Sequence, residues 1–192
     1  MSTPKLAITC LPWYLAVFSI LIALLAACST TNTGESVENP INKEIAQART
    51  LEYFTVTLAG LPAHATLSLE SPTPGSDPLY PGITVPCDDN YQTDTGPVNL
   101  QVGYWVHGIA KGQEVSYFDM IAHVFDANGW SPQLDVRGTQ RNLRGYTRDG
   151  YALIAQLNIV GELSLTGSSP CFPKANDQTS TPQPSTIPHP AH

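Results

Sequence analysis

The hydrophobic and polar positions of this chain change pattern several times between its two ends. A continuous apolar run covers Leu6–Ala27, and a polar stretch follows it from Ser29 to Asn39. The clearest alternation comes later and places an apolar side chain at every second position, at Val98, Leu100, Val102, Tyr104 and Val106. A period of two is typical of a β-strand with one buried face. We therefore predict a strand over residues 98–107.

Two other segments have apolar residues at helical spacing. The first begins after Pro40, ends at Gly60 and carries a stripe formed by Ile45, Ala48, Leu51, Glu52, Phe54, Thr55 and Leu58. The second ends at Asn128-Gly129 and carries a stripe formed by Val115, Phe118, Ile121, Ala122 and Phe125. Proline near a first turn and glycine after a last turn are helix start and stop signals. These patterns predict two helices.

Shorter alternating segments predict the remaining strands. They are Thr66–Leu69, Leu134–Val136, Tyr151–Leu157 and Glu162–Thr166, of which the last two form a hairpin. The proline-rich stretch Ser71–Pro86 and the polar stretch Gly138–Arg148 are predicted loops. The order α-β-α-β-β-β predicts an α+β domain, in which an antiparallel sheet of about four to five strands carries two helices on one face.

Composition divides the chain into four segments. We predict a signal peptide over residues 1–27, a flexible tether over 28–39, a single α+β domain over 40–172, and a disordered tail rich in Pro, Ser and Thr over 173–192. The predicted domain is long enough to bury a hydrophobic core of its own.

The apolar run has the layout of an export signal. Lys5 precedes it, and small residues followed by a cysteine end it. Leu25-Ala26-Ala27-Cys28 resembles the bacterial lipobox, in which the cysteine receives diacylglycerol, the signal is removed, and the new amino terminus is acylated, for example with palmitate. This resemblance implies a lipid anchor at Cys28 on the extracytoplasmic face of the cell membrane. Two alternatives stay open, an uncleaved membrane helix and ordinary secretion.

The cysteines outside the anchor predict a disulfide. Cys10 lies in the signal and Cys28 in the lipobox, which leaves Cys87 and Cys171 in an oxidising compartment. A bond closing a loop of this length would contribute roughly 4–5 kcal/mol in the chain-entropy treatment. Neither cysteine has a partner at zinc-ligand spacing, and Asp88–Asp94 lacks the glycine and glutamate of a calcium loop. We predict no metal site.

Charge and motifs exclude several classes of function. The chain has 16 acidic residues against 9 Lys and Arg, a net charge of −7, which argues against nucleic-acid binding. No serine lies in a Gly-x-Ser-x-Gly turn, and the two domain cysteines are expected to be bonded. We predict no enzymatic activity and no cofactor.

Two groups of residues form a candidate contact patch. Trp105 and His107 lie on the less apolar face of the predicted strand 98–107, where exposed rings could mark a binding surface. The alternative is that the loop Ser71–Pro86 folds over them. Arginine forks suit carboxylate or phosphate, and four of them lie close together in the sequence, at Arg137, Arg141, Arg144 and Arg148. The expected partner is an envelope protein or an anionic polymer.

The order of these features resembles a known group of proteins. Asn128-Gly129-Trp130, Asp149-Gly150-Tyr151, Gly161–Thr166 and Ser169-Pro170-Cys171 follow the lipobox at spacings similar to those of small actinobacterial lipoproteins, distantly LppA-like. The resemblance implies an envelope location and a two-cysteine domain, and it carries no catalytic residues. The predicted function is a non-enzymatic interaction or accessory domain. The alternative is a carrier that holds a lipid or small ligand between helices and sheet.

Overall fold

A computed structural model describes residues 41–75, 77–79, 81–87, 95–177 and 181–190 of the chain. The predicted signal peptide, the tether and the lipidation site Cys28 lie outside the described residues. The elements in chain order are α1 (Lys43–Ala59), β1 (Thr66–Ser68), β2 (Ile83–Pro86), β3 (Pro97–His107), α2 (Glu114–Ala127), β4 (Gln133–Arg137), β5 (Gln140–Tyr146), β6 (Ala152–Leu157), β7 (Leu163–Ser168), β8 (Phe172–Pro173), a short 3-10 helix (Lys174–Asn176) and β9 (Thr186–Ile187).

The nine strands of the described residues form one antiparallel sheet. Its order is β4-β5-β6-β7-β3-β1-β9, and β2 and β8 pair with β3 beside that path. The 11-residue strand β3 is long enough to hold two strands on each edge. It pairs with β7 and β8 along one edge and with β1 and β2 along the other. This strand is the one that the alternation of apolar residues predicts, and it organises the sheet.

The α+β class, the antiparallel sheet and the two helices are confirmed, but the predicted number of four to five strands is wrong. The sequence analysis missed β2, β5, β8 and β9. Strand β5 occupies most of the predicted loop Gly138–Arg148. Leu143 is its one buried large apolar residue, so it shows no alternation. The other three missed strands have two to four residues each, and β2 and β8 end in proline. Such short strands depend on pairing with β3 or β1 rather than on a pattern of their own.

The buried face of helix α1 shares Phe54 and Leu58 with the predicted stripe but is otherwise formed by other residues. Its N-cap is Asn42, whose side chain accepts a hydrogen bond from the Ile45 amide at 2.8 Å. Ile45 itself is 38% exposed. The buried residues are Ala46, Gln47, Thr50, Tyr53, Phe54, Thr57 and Leu58. The hydroxyls of Thr50 and Thr57 donate to backbone carbonyls four residues earlier, at 2.8 and 2.9 Å, so these polar side chains enter the core already hydrogen-bonded.

Both helices cover the same face of the sheet. A Cβ added at Gly167 of β7 would lie 2.5 Å from Thr50 Cγ2 of α1, and one at Gly145 of β5 would lie 2.7 Å from Phe125 Cδ2 of α2. Leu153 of β6 pairs with both glycines, so the two close approaches fall in one row on one face. The opposite face, which we call the open face, carries no helix among the described residues.

The predicted disulfide is present. The Sγ atoms of Cys87 and Cys171 are 2.09 Å apart and their Cα atoms 6.3 Å apart. Cys87 follows β2 and Cys171 precedes β8, and these two strands pair with Val98 from opposite edges of β3. The bond therefore fastens two short strands, whose few hydrogen bonds hold them weakly, on either side of the central strand.

The prediction of a disordered tail over residues 173–192 is wrong for the part that the structure describes. Strand β9 pairs with β1, and Ile187 is 8% exposed. Gln47 Nε2 of α1 donates to the Thr181 carbonyl at 3.1 Å, and Tyr104 Oη of β3 donates to the Pro184 carbonyl at 2.6 Å. This segment has too few apolar residues for a core of its own, but it pairs with strand β1 and contacts helix α1 of the domain.

Candidate functional site

One half of the open face is covered by a loop, residues 69–79. The Leu79 amide donates to the Leu69 carbonyl at 2.9 Å and closes this loop at its base. Leu79 lies over β3, since a Cβ added at Gly103 would be 3.6 Å from its side chain. Ser71 Oγ donates to Glu162 Oε1 at 3.1 Å, which ties the loop to the segment before β7. We call residues 69–79 the covering loop.

The covering loop contacts His107 of the candidate contact patch. His107 Nε2 lies 2.8 Å from the Glu70 carbonyl oxygen, and both His107 and Trp105 are half-buried. The indole N–H of Trp105 is buried and has no acceptor among the described residues. The contact to His107 comes from the residue just before the proline-rich segment, and Leu79 of that segment lies over the neighbouring Gly103.

The four arginines of the candidate contact patch belong to strands and a turn rather than to the predicted loop. Arg137 ends β4, Arg141 and Arg144 lie on β5, and Arg148 is in the turn before β6. Arg141 is on the helix-covered face, where its Nη1 is 3.8 Å from Asp119 Oδ1 of α2. Arg144 pairs with Ile154 and is on the open face.

The structure does not bring the two groups of the candidate patch together. Strands β3 and β5 are separated by β7 and β6. Three strand spacings of about 4.8 Å separate β3 from β5 by roughly 14 Å, and the register sets Arg144 a further two residues along the strands from Trp105. Only Arg144 and Arg137 share the open face with the two rings, because strand alternation directs Arg141 to the helices.

The uncovered half of the open face contains a groove over β4, β5 and β6. It has a volume of about 430 Å³ and is lined by Gln133, Leu134, Asp135, Asn142, Arg144 and Ile154. We call it the open-face groove. Two amides, a carboxylate and a guanidinium surround a small aliphatic area. Side chains of this kind offer hydrogen-bond donors and acceptors together with an apolar floor.

The charges of the open-face groove are unevenly matched. Asp135 Oδ2 accepts from Arg137 Nε at 3.0 Å, so these two charges largely cancel. Arg144 is exposed and makes no ion pair with any residue that the structure describes. Four of the nine Lys and Arg residues of the chain lie between Arg137 and Arg148. Of these, Arg137 is matched by Asp135, and Arg141 lies on the other face beside Asp119. The unmatched positive charge in the lining of the groove is therefore that of Arg144, and screening weakens the effect of charges more than about 8 Å away at physiological ionic strength.

A second groove lies along the outer side of α2. It has a volume of about 560 Å³ and is lined by Gly60, Val115, Ser116, Asp119, Met120, His123 and Val124. Val115 is 42% and Met120 36% exposed. This groove is more apolar than the open-face groove. Within the described residues no three His, Cys, Asp or Glu side chains come together in a way that could hold a metal ion.

Sequence reasoning missed a polar cluster around Asp149, which it used only as a turn signal. This carboxylate accepts from Tyr53 Oη and Thr147 Oγ1, each at 2.6 Å, and from Arg49 Nε at 3.1 Å. Burial raises the pKa of Asp149, but the hydrogen bonds from Thr147, Tyr53 and Arg49 outweigh it, so the pKa is lowered. The cluster fastens α1 to the turn before β6. Arg49 and Tyr53 are 100 and 96 residues from Asp149 in sequence, and no local pattern connects them with it.

Comparison of the chain with models of protein families, with characterised proteins and with solved structures finds no match. Neither helix in the described part of the chain is long and apolar enough to cross a membrane.

Proposed function

We propose that this protein is a lipid-anchored, non-enzymatic binding domain on the extracytoplasmic face of the cell membrane, and that its open-face groove binds an acidic polymer of the cell envelope. The observation that carries the proposal is Arg144. Its guanidinium lines a groove, is exposed, and makes no ion pair with another described residue.

The chemistry of the groove suits an acidic, hydroxyl-rich chain. Guanidinium binds carboxylate or phosphate through two parallel hydrogen bonds. The amides of Gln133 and Asn142 beside it can each donate to and accept from hydroxyl groups. Ile154 supplies an apolar area for the carbon-bound hydrogens of a sugar ring. An open groove also admits a long chain from either end, which a closed cavity would not.

The anchor in this proposal is Cys28, and it is supported by the lipobox-like Leu25-Ala26-Ala27-Cys28. Two or more acyl chains hold a protein firmly, since each buried methylene contributes about 0.8 kcal/mol. Because the chain is acidic, with a net charge of −7, the lipid is the expected source of membrane affinity. Metabolic labelling with an alkyne-tagged fatty acid should mark the wild type and not Cys28→Ser.

The carrier alternative has less support. A ligand held between helices and sheet needs space there, and that layer contains the fully buried side chains of Phe54, Tyr104, Phe118 and Phe125. Phe54 and Tyr104 pack edge to face with their ring centres 5.7 Å apart. The groove along α2 is apolar but lies on the outer side of its helix.

The proposal predicts that Arg144→Gln weakens binding of an acidic oligosaccharide. The full chain in detergent is titrated with an oligogalacturonate by calorimetry, with a neutral malto-oligosaccharide of the same length as a second probe. Losing a charge-assisted hydrogen bond costs roughly 1.5–3 kcal/mol, or about 10- to 100-fold in Kd. Only the acidic probe should bind tightly to the wild type.

The matched control is Arg148→Gln. It removes the same charge from an exposed arginine of the neighbouring turn, outside the lining of the groove, and should leave the affinity close to that of the wild type. Equal weakening by both variants would reduce the effect to general charge attraction. No binding of the acidic probe by the wild type would count against the proposed function itself.

A further inference from the structure

We propose that the outer edge of β4 pairs with the same edge of a second copy of this chain, in an antiparallel register in which Val136 of one copy lies opposite Val136 of the other. Strand β4 ends the sheet order, and no described segment pairs with its outer edge. All five of its residues are exposed. An exposed edge strand is a template for another strand.

The hairpin geometry determines which groups of β4 are free to pair. Strands β4 and β5 are joined by the two-residue turn Gly138-Thr139, in which Arg137 lies opposite Gln140. Such a turn makes Arg137 and Gln140 a hydrogen-bonded pair, and hydrogen-bonded pairs alternate along antiparallel strands. The amide and carbonyl groups of Leu134 and Val136 therefore point away from β5. These are the groups that a second strand would bind.

Several registers would let the free amide and carbonyl groups of Leu134 and Val136 form hydrogen bonds, and charge favours one of them. If Asp135 lay opposite Asp135 of the second copy, two like charges would face each other at the centre of the joint, which is destabilising. If Val136 lies opposite Val136, each Asp135 faces Arg137 of the other copy. The short strand Gln133–Arg137 is then complementary to itself, with two cross-strand ion pairs around a central apolar pair.

The exposure of the apolar side chains of β4 also favours a second copy of this chain as the partner. Leu134 and Val136 are 57% and 50% exposed, whereas Leu143, which pairs with Leu134 on β5, is 2% exposed. In the selected register the two Val136 side chains touch across the joint, and each Leu134 lies two positions from one of them on the same face. Pairing would cover part of the apolar area that the helices leave bare.

The paired sheets would place two open-face grooves side by side. Gln133 and Asp135 line the groove and also lie on the strand that pairs. In an antiparallel joint, opposed side chains point to the same side, so the grooves of both copies open on one face. This consequence for bivalent binding rests on the proposed function. The pairing itself does not, because it needs no ligand.

Engineered cysteines test the register in the full chain. Opposed Cα atoms of an antiparallel pair are about 4.5–5.5 Å apart, within the range of a disulfide. Val136→Cys should therefore give a disulfide-linked dimer under mild oxidation. Leu134→Cys is the matched control, since it has the same face and similar exposure. In the proposed register Leu134 lies opposite Gly138, so the two engineered cysteines would be roughly 14 Å apart.

The measurement is non-reducing gel electrophoresis of the full chain without ligand, with the wild type showing any dimer formed by the native cysteines. We expect at least roughly tenfold more dimer from Val136→Cys than from Leu134→Cys, because only the first pair is within bonding distance. Equal yields from both, or no dimer from Val136→Cys, would overturn the proposal.

A charge exchange supplies the second test. In the Val136→Cys background, Asp135→Arg should reduce the dimer strongly because arginines then face each other. Adding Arg137→Asp should restore it, because each pair again has opposite charges. Failure of the double change to restore the dimer would refute the register. The outcome is independent of Arg144→Gln, so failure of the pairing and failure of the proposed ligand binding can be told apart.

Discussion

Replacing Gly167 with alanine should destabilise the domain, although alanine normally suits a strand better than glycine. The added Cβ would lie 2.5 Å from Thr50 Cγ2 and 3.2 Å from Phe54 Cζ. Thr50 cannot turn its methyl group away without breaking the hydrogen bond of its hydroxyl to the Ala46 carbonyl. Phe54 is fully buried and packs against the ring of Tyr104. Helix α1 itself must therefore move away from the sheet.

Two opposing contributions determine how much Gly167→Ala changes the free energy of unfolding. Overpacking a core by one carbon that has no room typically costs about 1–3 kcal/mol. Replacing glycine by alanine within a strand returns roughly 0.5–1 kcal/mol through the smaller backbone entropy of the unfolded chain. The steric term is the larger one here because both obstructing side chains are fixed. We expect Gly167→Ala to lower the free energy of unfolding by about 1–2 kcal/mol.

Gly103→Ala is a control in the same sheet. Gly103 is also a buried strand glycine, but its added Cβ would meet Thr166 Oγ1 and Leu79 at 3.5 and 3.6 Å, which is ordinary contact. This variant should be as stable as the wild type or more stable, by up to about 0.5–1 kcal/mol. Urea unfolding of the oxidised proteins, followed by tryptophan fluorescence, measures both. If Gly167→Ala is no less stable than Gly103→Ala, α1 does not pack as closely as the structure has it.

Two further predictions concern pH. Because the pKa of Asp149 is lowered, its ionised form stabilises the folded state above its unfolded pKa of about 4, and this contribution is lost as the pH falls through the folded pKa. The stability difference between wild type and Asp149→Asn in urea unfolding should therefore shrink below pH 4; a difference independent of pH would contradict the hydrogen bonds to that carboxylate. Burial raises the pKa of Tyr104 to about 12, so its contribution is complete below its unfolded pKa of about 10 and is lost as the pH rises towards 12. Tyr104→Phe should reduce the fall in thermal stability over that pH range. It should also speed hydrogen exchange of the Leu69 amide, which donates to the Ser185 carbonyl of the C-terminal segment. Unchanged exchange would mean that this segment is held in place without Tyr104.

Sequence patterns predict an element well where its own residues bury one face. Strand β3 follows its alternation from Val98 to Val106, and α2 buries Phe118, Ile121 and Phe125 of its predicted stripe. The same reasoning places α1 correctly, but the buried face of that helix shares only Phe54 and Leu58 with the predicted stripe. Small and polar residues, Ala46, Thr50 and Thr57, lie towards the sheet because the helix approaches a glycine there. The apolar pattern of a helix does not indicate how closely that helix packs against the sheet.

The candidate site was predictable only in part. Four arginines in a short segment indicated a cationic region, and one of them, Arg144, lines the open-face groove. Which face each arginine takes depends on β5 being a strand, and its residues are too polar to show a strand pattern. The position of the covering loop at His107 depends on its contact with Glu70, between residues 37 positions apart.

The sequence by itself determined the two helices, the central strand, the antiparallel α+β class and the pairing of Cys87 with Cys171, because each follows from local periodicity or from counting cysteines. Only the tertiary structure decided the nine-stranded sheet, the docking of the C-terminal segment on β1 and α1, and the division of the arginines between two faces. Those features depend on backbone hydrogen bonds and contacts between distant segments. The backbone of almost any residue can form these hydrogen bonds whatever its side chain, so such pairing leaves little trace in the sequence.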